Sequence, residues 1–365
     1  MKIKDIVQLL DEFAPPFYQE SYDNAGLITG NSMFECTGVI CTLDATEEVI
    51  LEAIEKGCNL IAAHHPIIFG GLKKITGKSY VEKAIITAIK NDIAIYAIHT
   101  NLDNLLNGVN GRMADKLGLK NTKVLLPRQN TLMKLYVYVP IEDAPKLREA
   151  IFEAGAGTIG KYSECSFNIQ GTMTFTPGEG TNPHLGEAGK REVSPEEKIE
   201  VIFPAYLKEK VVIAMMEAHP YEEVAYDLVP LNNSLNTVGS GLTGDLQEEM
   251  HEVEFLQFVK QQFNLQLIRH TPLLEKKVKK VALCGGAGSF LIRNALAARA
   301  DFYITSDVKY HEFFDAENRM VIADVGHWES EQFTVDLLCD FLHSKNTTFA
   351  VLKSTVKTNP VTYFV

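Results

Sequence analysis

The stretch Leu60-Ile61-Ala62-Ala63-His64-His65-Pro66 decides the fold, because a short and fully apolar run ends abruptly in two histidines and a proline. Strands that are buried on both faces have this composition, and they occur in parallel sheets that helices cover on both sides. Such sheets bind ligands at the carboxyl ends of their strands. The sequence therefore predicts a parallel α/β sheet with a functional site that begins at His64.

The same plan recurs twice along the chain, as apolar runs with strand composition alternate with helical segments. The first half has predicted strands at 39–43, 60–63 and 93–98 and predicted helices at 46–56 and 80–90. The second half has predicted strands at 278–283, 302–305 and 320–323 and predicted helices at 290–300, 309–316 and 329–343. Superposing the halves aligns His64 and His65 with Ser306 and Asp307, at the carboxyl ends of equivalent strands.

A segment of different character lies between the halves, over residues 127–232. Its patterns predict the element order β-α-β-β-α-β of a ferredoxin-like α+β unit. Since the ends of such a unit can lie close together, we interpret it as an inserted domain. The expected organisation is one domain of two similar α/β halves with mainly parallel sheets, formed by residues 1–126 and 233–365, together with the insert.

Composition and charge narrow the classes of function. Hydrophobic residues make up 46% of the 365 residues and charged residues 22%, which is typical of a soluble globular protein. The net charge of −12 argues against nucleic acid as a main partner. The amino terminus has no secretory hydrophobic region, and no apolar run is long enough to cross a membrane. Six cysteines without a CxxC motif indicate a reducing compartment, so we expect a cytoplasmic protein.

Two distant clusters have residue types that suit a metal site. His64 and His65 end the apolar strand, and Asp103 lies in a loop that follows the next strand. His327 and Glu331 stand four positions apart, so they share one face at the start of a helix. Each part alone has an ordinary alternative: an exposed histidine pair, an Asx-turn or helix cap at the aspartate, and a local surface pair on the helix.

Taken together, the two clusters favour a site for two divalent ions. Imidazole and carboxylate groups suit Zn, Fe, Mn or Ni, and no thiolate stands nearby in the sequence. Three histidines and two carboxylates can hold two ions roughly 3.5–4 Å apart with positions left open for water. Such a pair lowers the pKa of a bridging water toward neutrality and polarises a phosphoryl or carbonyl oxygen.

A glycine-rich loop, Cys284-Gly285-Gly286-Ala287-Gly288-Ser289, follows a predicted strand and opens a predicted helix. The N–H groups of Gly285, Gly286 and Ser289 are therefore candidates for binding an anion such as phosphate. The loop matches neither the dinucleotide fingerprint nor the P-loop. A tight strand-to-helix turn is the alternative interpretation.

Three further residues are candidates for assisting proton transfer. Asp307 and His311 follow the strand at 302–305, and His99 follows the strand at 93–98. Helix capping is the alternative for the first two. A hydrogen-bonded core histidine is the alternative for His99.

The chain resembles the GTP cyclohydrolase I type 2 / NIF-three-like family over nearly its whole length. The matching stretches are Tyr22-Asp23-Asn24-Ala25-Gly26-Leu27, Cys41-Thr42-Leu43-Asp44-Ala45-Thr46, Ala63-His64-His65-Pro66, His99-Thr100-Asn101-Leu102-Asp103, Thr305-Ser306-Asp307-Val308-Lys309-Tyr310-His311, and the pair His327 and Glu331. The resemblance implies two divalent metal ions per subunit, with Glu331 as a bridge. The implied ligands are His64, His65, Asp103, His327 and Glu331.

The resemblance also implies an assembly and a role. The implied assembly is a toroidal homohexamer whose metal sites face an internal cavity, and the middle segment is similar to the PII and CutA1 trimeric signalling folds. We expect a metal-dependent hydrolase that acts on a nucleotide-like or phosphorylated small molecule. A non-catalytic metal-dependent sensor or scaffold, regulated through the insert, is the alternative. A DNA-associated ring is a third interpretation, which the acidic net charge disfavours.

Overall fold

The computed structural model describes residues 1–345 and 348–364. The chain forms two compact units: the larger unit consists of Met1–Pro127 and Asn236–Val365, and the inserted unit consists of Arg128–Leu235. Both units combine helices and strands, so this is a mixed α/β protein. Within the described residues, none of the helices has the length and apolar character that crossing a bilayer requires.

The first part of the larger unit alternates strands and helices, as the sequence predicts. Its strands are β1 (Gly26–Thr29), β2 (Gly38–Asp44), β3 (Leu60–His65), β4 (Ala94–Ala97) and β5 (Lys120–Pro127). Its helices are α1 (Ile3–Phe13), α2 (Glu47–Glu55), α3 (Tyr80–Lys90), α4 (Thr100–Asp103) and α5 (Val109–Lys116), with a 3-10 turn at Pro16–Tyr18. The Ser79 hydroxyl accepts a hydrogen bond from the Glu82 N–H and so fixes the start of α3.

The inserted unit confirms the element order β-α-β-β-α-β that the sequence predicts. Its strands are β6 (Leu132–Pro140), β7 (Ser166–Phe175), β8 (Glu192–Pro204) and β9 (Tyr226–Pro230). Its helices are α6 (Ala144–Glu153) and α7 (Lys208–Ala218), with a 3-10 turn at Ala205–Leu207. The sheet order β7-β8-β6-β9, with antiparallel neighbours throughout, is that of a ferredoxin-like unit.

The second part of the larger unit departs from the predicted helices. Its strands are β10 (Gly239–His251), β11 (Arg269–His270), β12 (Lys277–Ala287), β13 (Phe302–Ser306), β14 (Val321–Asp324) and β15 (Ala350–Lys353). Its helices are α8 (Glu252–Gln262), α9 (Ile292–Ala297), α10 (His327–Glu331) and α11 (Thr334–Ser344), with 3-10 helices at Ser289–Leu291 and Tyr310–Ala316. The helix predicted over 329–343 is thus divided, because Phe333 packs in one hydrophobic core while α11 packs in another.

The larger unit contains a first sheet with the order β1-β4-β3-β2-β15 and a second sheet with the order β11-β14-β13-β12-β10-β5. In the first sheet β4, β3, β2 and β15 run parallel and β1 runs antiparallel. In the second sheet β14, β13 and β12 run parallel, whereas β11, β10 and β5 join in antiparallel pairs. The prediction of mainly parallel sheets is therefore right for the first sheet and wrong for the second. In the second sheet the half-exposed strands β5 and β10, which precede and follow the insert in the sequence, add antiparallel pairs.

Helices cover both faces of the first sheet, as the alternating side chains of β3 show. Leu60 and Ala62 belong to the core that contains α1 and α11, whereas Ile61 and Ala63 belong to the core that contains α2 and α3. Burial on both faces explains the continuous apolar run. Since β2, β3 and β4 are parallel, their carboxyl ends lie along one edge of the sheet, and β12, β13 and β14 repeat this arrangement in the second sheet.

Candidate metal centre

The two histidines that end β3 are held by hydrogen bonds on one side of each ring. His64 is completely buried, and its Nδ1 donates to the Ile98 carbonyl oxygen at 2.9 Å. His65 Nδ1 lies 2.8 Å from Asp44 Oδ1, at the end of the neighbouring strand β2. In both rings the Nε2 atom points toward the carboxylate of Glu331.

His327 is held in the same way at the start of α10. Its Nδ1 lies 2.6 Å from Asp307 Oδ2, in the segment that follows β13. Histidines that bind metals usually donate their other ring N–H to a carboxylate or carbonyl, which fixes the tautomer and the orientation of the ring. All three histidines therefore have the hydrogen bonding of metal ligands.

Glu331, at the end of α10, brings the two distant parts of the sequence together. Its side chain is only 3% exposed. Its Oε2 atom lies 2.9 Å from His65 Nε2 and 3.1 Å from His327 Nε2, while its Oε1 atom lies 3.9 Å from His64 Nε2. The two carboxylate oxygens thus face different histidines.

Groups of histidines and carboxylates in this cluster could hold a metal ion. In each group the potential ligand atoms lie within 4.8 Å of one another. The groups are His64 with Asp103 and Glu331, His65 with His327 and Glu331, and His64 with His65 and His99. Glu331 shares one group with His64 and Asp103 and another with His65 and His327, so its carboxylate is common to both.

Two buried polar atoms in the cluster lack a hydrogen-bond partner among the described residues: His64 Nε2 and Asp103 Oδ1. These atoms lie 3.5 Å apart. An unsatisfied buried polar atom costs about 1–3 kcal/mol, so such atoms in a native fold need an explanation. A cation between them would satisfy both, and its charge would also offset the burial that raises the pKa of Asp103 to about 7. The residues present therefore fit a metal ion.

The charges of the cluster depend on one another. Burial lowers the pKa of His64 to about 3, so its ring is neutral. Burial also lowers the pKa of His65, but the Glu331 carboxylate outweighs it and raises the pKa to about 10. The pKa of His327 rises to about 11 against the same effect of burial, because Asp307 and Glu331 accept hydrogen bonds from its ring. The two imidazolium groups in turn hold the pKa of Glu331 well below its usual range. Metal binding must displace these protons.

His99 lies beside the cluster and contacts a carboxylate of its own. Its Nδ1 lies 2.7 Å from Asp23 Oδ1, and Thr100 donates to Asp23 Oδ2 from both its N–H and its hydroxyl. Burial opposes ionisation of this carboxyl, but the bonds from His99 and Thr100 prevail and lower the pKa of Asp23 to about 2. The ring centroid of His99 is 5.3 Å from that of His64 and 5.4 Å from that of His65. His99 therefore faces the cluster from one side.

Comparisons with known proteins place the chain in a family. A family model described as Duf34/NIF3 (NGG1p interacting factor 3) matches residues 1–360. The chain belongs to the Duf34/NIF3 family. A protein of Halalkalibacterium halodurans that bears the name GTP cyclohydrolase 1 type 2 homolog is 43% identical over 363 residues, which cover 98% of each chain. A Bacillus subtilis protein of the same name is 39% identical and covers 99% of this chain and 98% of its own.

A crystal structure confirms the resemblance at the level of the fold. The structure of a Bacillus cereus protein related to NIF3 has a TM-score of 0.89 and 41% sequence identity to this chain. It covers 100% of this chain and 99% of its own, so the inserted unit has a counterpart in that NIF3 relative.

Asp307 and His311, which the sequence suggests as proton-transfer residues, have different surroundings in this NIF3-family chain. Asp307 contacts His327 Nδ1, so it orients a candidate ligand. His311 is exposed on the 3-10 helix Tyr310–Ala316, and its ring contacts Tyr310 and Phe314. His311 is a member of none of the metal-binding groups found among the described residues.

The glycine-rich loop has a structural role that argues against the expected anion site. The Gly285 N–H donates to Asn110 Oδ1, and the Gly286 N–H donates to Ser330 Oγ, both at 2.9 Å. Two of the N–H groups expected to bind an anion are therefore already bonded within the protein. Ser289 begins a 3-10 turn at Ser289–Leu291, as the alternative interpretation of a strand-to-helix turn expects.

Sequence reasoning assigned no role to two carboxylates that orient histidines: Asp44, which contacts His65, and Asp23, which contacts His99. Both lie in stretches that carry the family resemblance. A signal was available for Asp44, because it ends a predicted apolar strand that adjoins the strand of His65. Asp23 lies outside the repeated strands, so the sequence offered no pattern that places it beside His99.

Proposed function

We propose that this NIF3-family chain binds two divalent metal ions and is a metal-dependent hydrolase that acts on a nucleotide-like or phosphorylated small molecule. The position of Glu331 carries the proposal, since one of its oxygens faces His65 and His327 and the other faces His64. The proposed ligands of one ion are His64 and Asp103, and those of the other are His65 and His327. Glu331 would be shared by the two ions.

The donor set favours a catalytic rather than a structural site. Structural zinc sites are usually closed by thiolates, whereas histidine and carboxylate donors with open positions occur in hydrolytic sites for Zn, Fe, Mn or Ni. Cys284 is a thiol that interacts electrostatically with Asp103 and Glu331. Burial and these charges raise its pKa, so it remains a neutral thiol.

The residues of the chain perform the positioning. Asp44 and Asp307 hold His65 and His327 with their Nε2 atoms toward the ligand position. The pair of His99 and Asp23 stands beside the cluster and can hold a proton for a leaving group. Divalent ions bound here would supply Lewis acidity and would lower the pKa of a coordinated water.

The substrate class and the assembly are further parts of the proposal. The names of the Halalkalibacterium halodurans and Bacillus subtilis relatives refer to GTP cyclohydrolase, which favours a nucleotide-like ligand. From the family resemblance we carry over a toroidal homohexamer with its metal sites facing an internal cavity. From the same source we carry over the likeness of the insert to the PII and CutA1 folds.

The test combines metal analysis with a hydrolysis screen. Purified protein is analysed for bound metals, stripped with a chelator, reloaded with Mn, Zn, Fe or Ni, and tested on a panel of nucleotides and sugar phosphates. We expect turnover to disappear on stripping and to return with at least one metal. His64→Ala should prevent the return, whereas His270→Ala, which removes an exposed histidine outside the metal-binding groups, should not. Full turnover by stripped protein would refute the proposal.

A non-catalytic sensor is the second candidate, because the insert is a compact unit of its own. Pro127 and Gly239 pair in the β5–β10 ladder, so a short glycine-serine linker can replace residues 128–235. If the protein is a sensor, the full chain should bind a nucleotide saturably and show no turnover. The deletion should then abolish this binding and leave the metal content unchanged. Turnover by the shortened chain would contradict the sensor. Light scattering on both chains tests the sixfold mass in the same experiment.

A further inference from the structure

Two exposed aromatic side chains stand at the edge of the metal-ligand cluster. Phe69 is 60% exposed, and its ring centroid is 6.0 Å from that of His99 with the planes at 82°. Tyr22 is 77% exposed and directly precedes Asp23, which bonds to His99. Exposed aromatic side chains are ordinary on a protein surface, and it is the position of these two beside the cluster that sets them apart.

The segments that carry the two rings are joined to each other. The Asn24 side-chain amide donates to the Ile68 carbonyl oxygen at 2.7 Å. Through this bond the turn at Tyr22 and the loop at Phe69 lie together beside His99.

The loop that carries Phe69 is fixed at both ends and exposed in the middle. Ile67 is buried at its start, and Glu82 accepts hydrogen bonds from Thr76 and Lys78 at its end. Residues 69–76 between these anchors are exposed. The loop therefore presents its aromatic ring from a fixed base.

The same loop has a charge opposite to that of the protein as a whole. Between Pro66 and Ser79 it contains lysines at 73, 74 and 78 and no aspartate or glutamate, in a chain of net charge −12. An anionic ligand is attracted to such a segment, whereas the net negative charge of the chain as a whole repels it. Aromatic rings next to lysines suit a ligand that combines a planar ring with a phosphate.

We infer that Phe69 and Tyr22 bind the planar base of a nucleoside phosphate whose phosphate end reaches the metal-ligand cluster. The inference rests on the proposed function and gives it a specificity subsite. A base stacks on an aromatic side chain without regard to its identity, so this subsite selects nucleotides over other phosphorylated molecules without distinguishing the bases strongly.

The test measures binding to the metal-loaded full chain by calorimetry, with GMP, AMP and ribose 5-phosphate as probes. Ribose 5-phosphate has the sugar and phosphate but no planar base. Phe69→Ala should weaken GMP and AMP binding between about fivefold and about 150-fold, which corresponds to the loss of one stacking contact. Its binding of ribose 5-phosphate and its metal content should stay unchanged. Tyr22→Ala should behave alike, and Phe69→Tyr, which keeps a ring, should bind as the wild type does.

Phe314→Ala is the matched control, since Phe314 is 67% exposed and has ring contacts with Tyr310 and His311. Unchanged GMP affinity in Phe69→Ala, or an equal loss for ribose 5-phosphate, would overturn the inference. A change in mass by light scattering with unchanged GMP affinity would show instead that the rings lie between copies of the chain. Failure of the wild-type protein to bind GMP would also overturn the inference. The metal content of that sample then shows whether the proposed metal binding fails as well.

Discussion

Replacing Glu331 with glutamine is expected to prevent binding of both proposed metal ions, whereas His327→Ala is expected to prevent binding of one. The reason is geometric, because the Oε2 atom of Glu331 faces His65 and His327 while its Oε1 atom faces His64. Glutamine keeps the size of the side chain but loses the negative charge and one acceptor oxygen. Alanine at position 327 leaves the group of His64, Asp103 and Glu331 intact.

The measurement is metal content per chain together with metal affinity by chelator competition. Loss of a partner that only orients a ligand costs about 10–100-fold in metal affinity, so loss of a bridging ligand should exceed about 100-fold. Asp103→Asn should resemble His327→Ala in content, since it affects the other group. His270→Ala, an exposed histidine on the edge strand β11, should keep the full content.

Folding must be checked in the same samples. In the metal-free protein Glu331 lies between the imidazolium groups of His65 and His327, and removing one member of a buried ion pair can cost about 3–5 kcal/mol. Circular dichroism and thermal unfolding separate this loss of stability from the loss of metal. Full metal content in a folded Glu331→Gln protein would contradict the bridging role.

The strand ends of the site could be predicted because their pattern is local. A short apolar run closed by His64, or one followed by His327, marks the carboxyl end of a parallel strand wherever it stands in the sequence. The repeated order of these runs then implies that the ends meet. The structure brings together His64, His65, Asp103, His327 and Glu331, and their role as ligands stays a prediction.

The antiparallel edge of the second sheet could not be predicted in the same way. Strands β5 and β10 are half exposed, so they lack a continuous apolar run, and their pairing across the insert joins residues such as Lys123 and Thr243 that are distant in sequence. No local pattern records such a pairing.

The hydrogen bonding of the glycine-rich loop could not be predicted for a related reason. A sequence pattern shows that Gly285 and Gly286 offer N–H groups, but not that Asn110 and Ser330 already accept hydrogen bonds from them. The close approach that Gly286 permits is to the Glu331 carboxylate of the protein itself and not to a bound ligand.

That close approach predicts that Gly286→Ala lowers metal affinity without changing any ligand. A Cβ at Gly286 would overlap Glu331 Oε1, well inside van der Waals contact. The backbone cannot easily move away, because the Gly286 N–H is bonded to Ser330 Oγ and its carbonyl accepts from Ser306 Oγ. The Glu331 carboxylate must therefore move, and we expect metal affinity to fall at least about tenfold.

Gly57→Ala separates this displacement from backbone strain. Gly286 has φ +65° and Gly57 has φ +68°, so alanine is strained to a similar degree at both positions, by about 1–2 kcal/mol. A Cβ at Gly57 meets no atom within 4 Å. Both variants should lose stability in thermal unfolding, but only Gly286→Ala should lose metal affinity.

A double variant shows whether the carboxylate transmits the effect. If Gly286→Ala acts by displacing Glu331, the same substitution in the Glu331→Gln background should cause little further loss of metal affinity, because the carboxylate that it displaces is already absent. The comparison is made at metal concentrations high enough to load the Glu331→Gln protein. If the two substitutions lower metal affinity by independent factors, alanine at position 286 disturbs the centre without acting through Glu331. The nearest other side chain is His327, whose Cε1 atom would lie 3.4 Å from the added Cβ. Non-additive losses would therefore mean that Gly286→Ala lowers metal affinity by moving the Glu331 carboxylate.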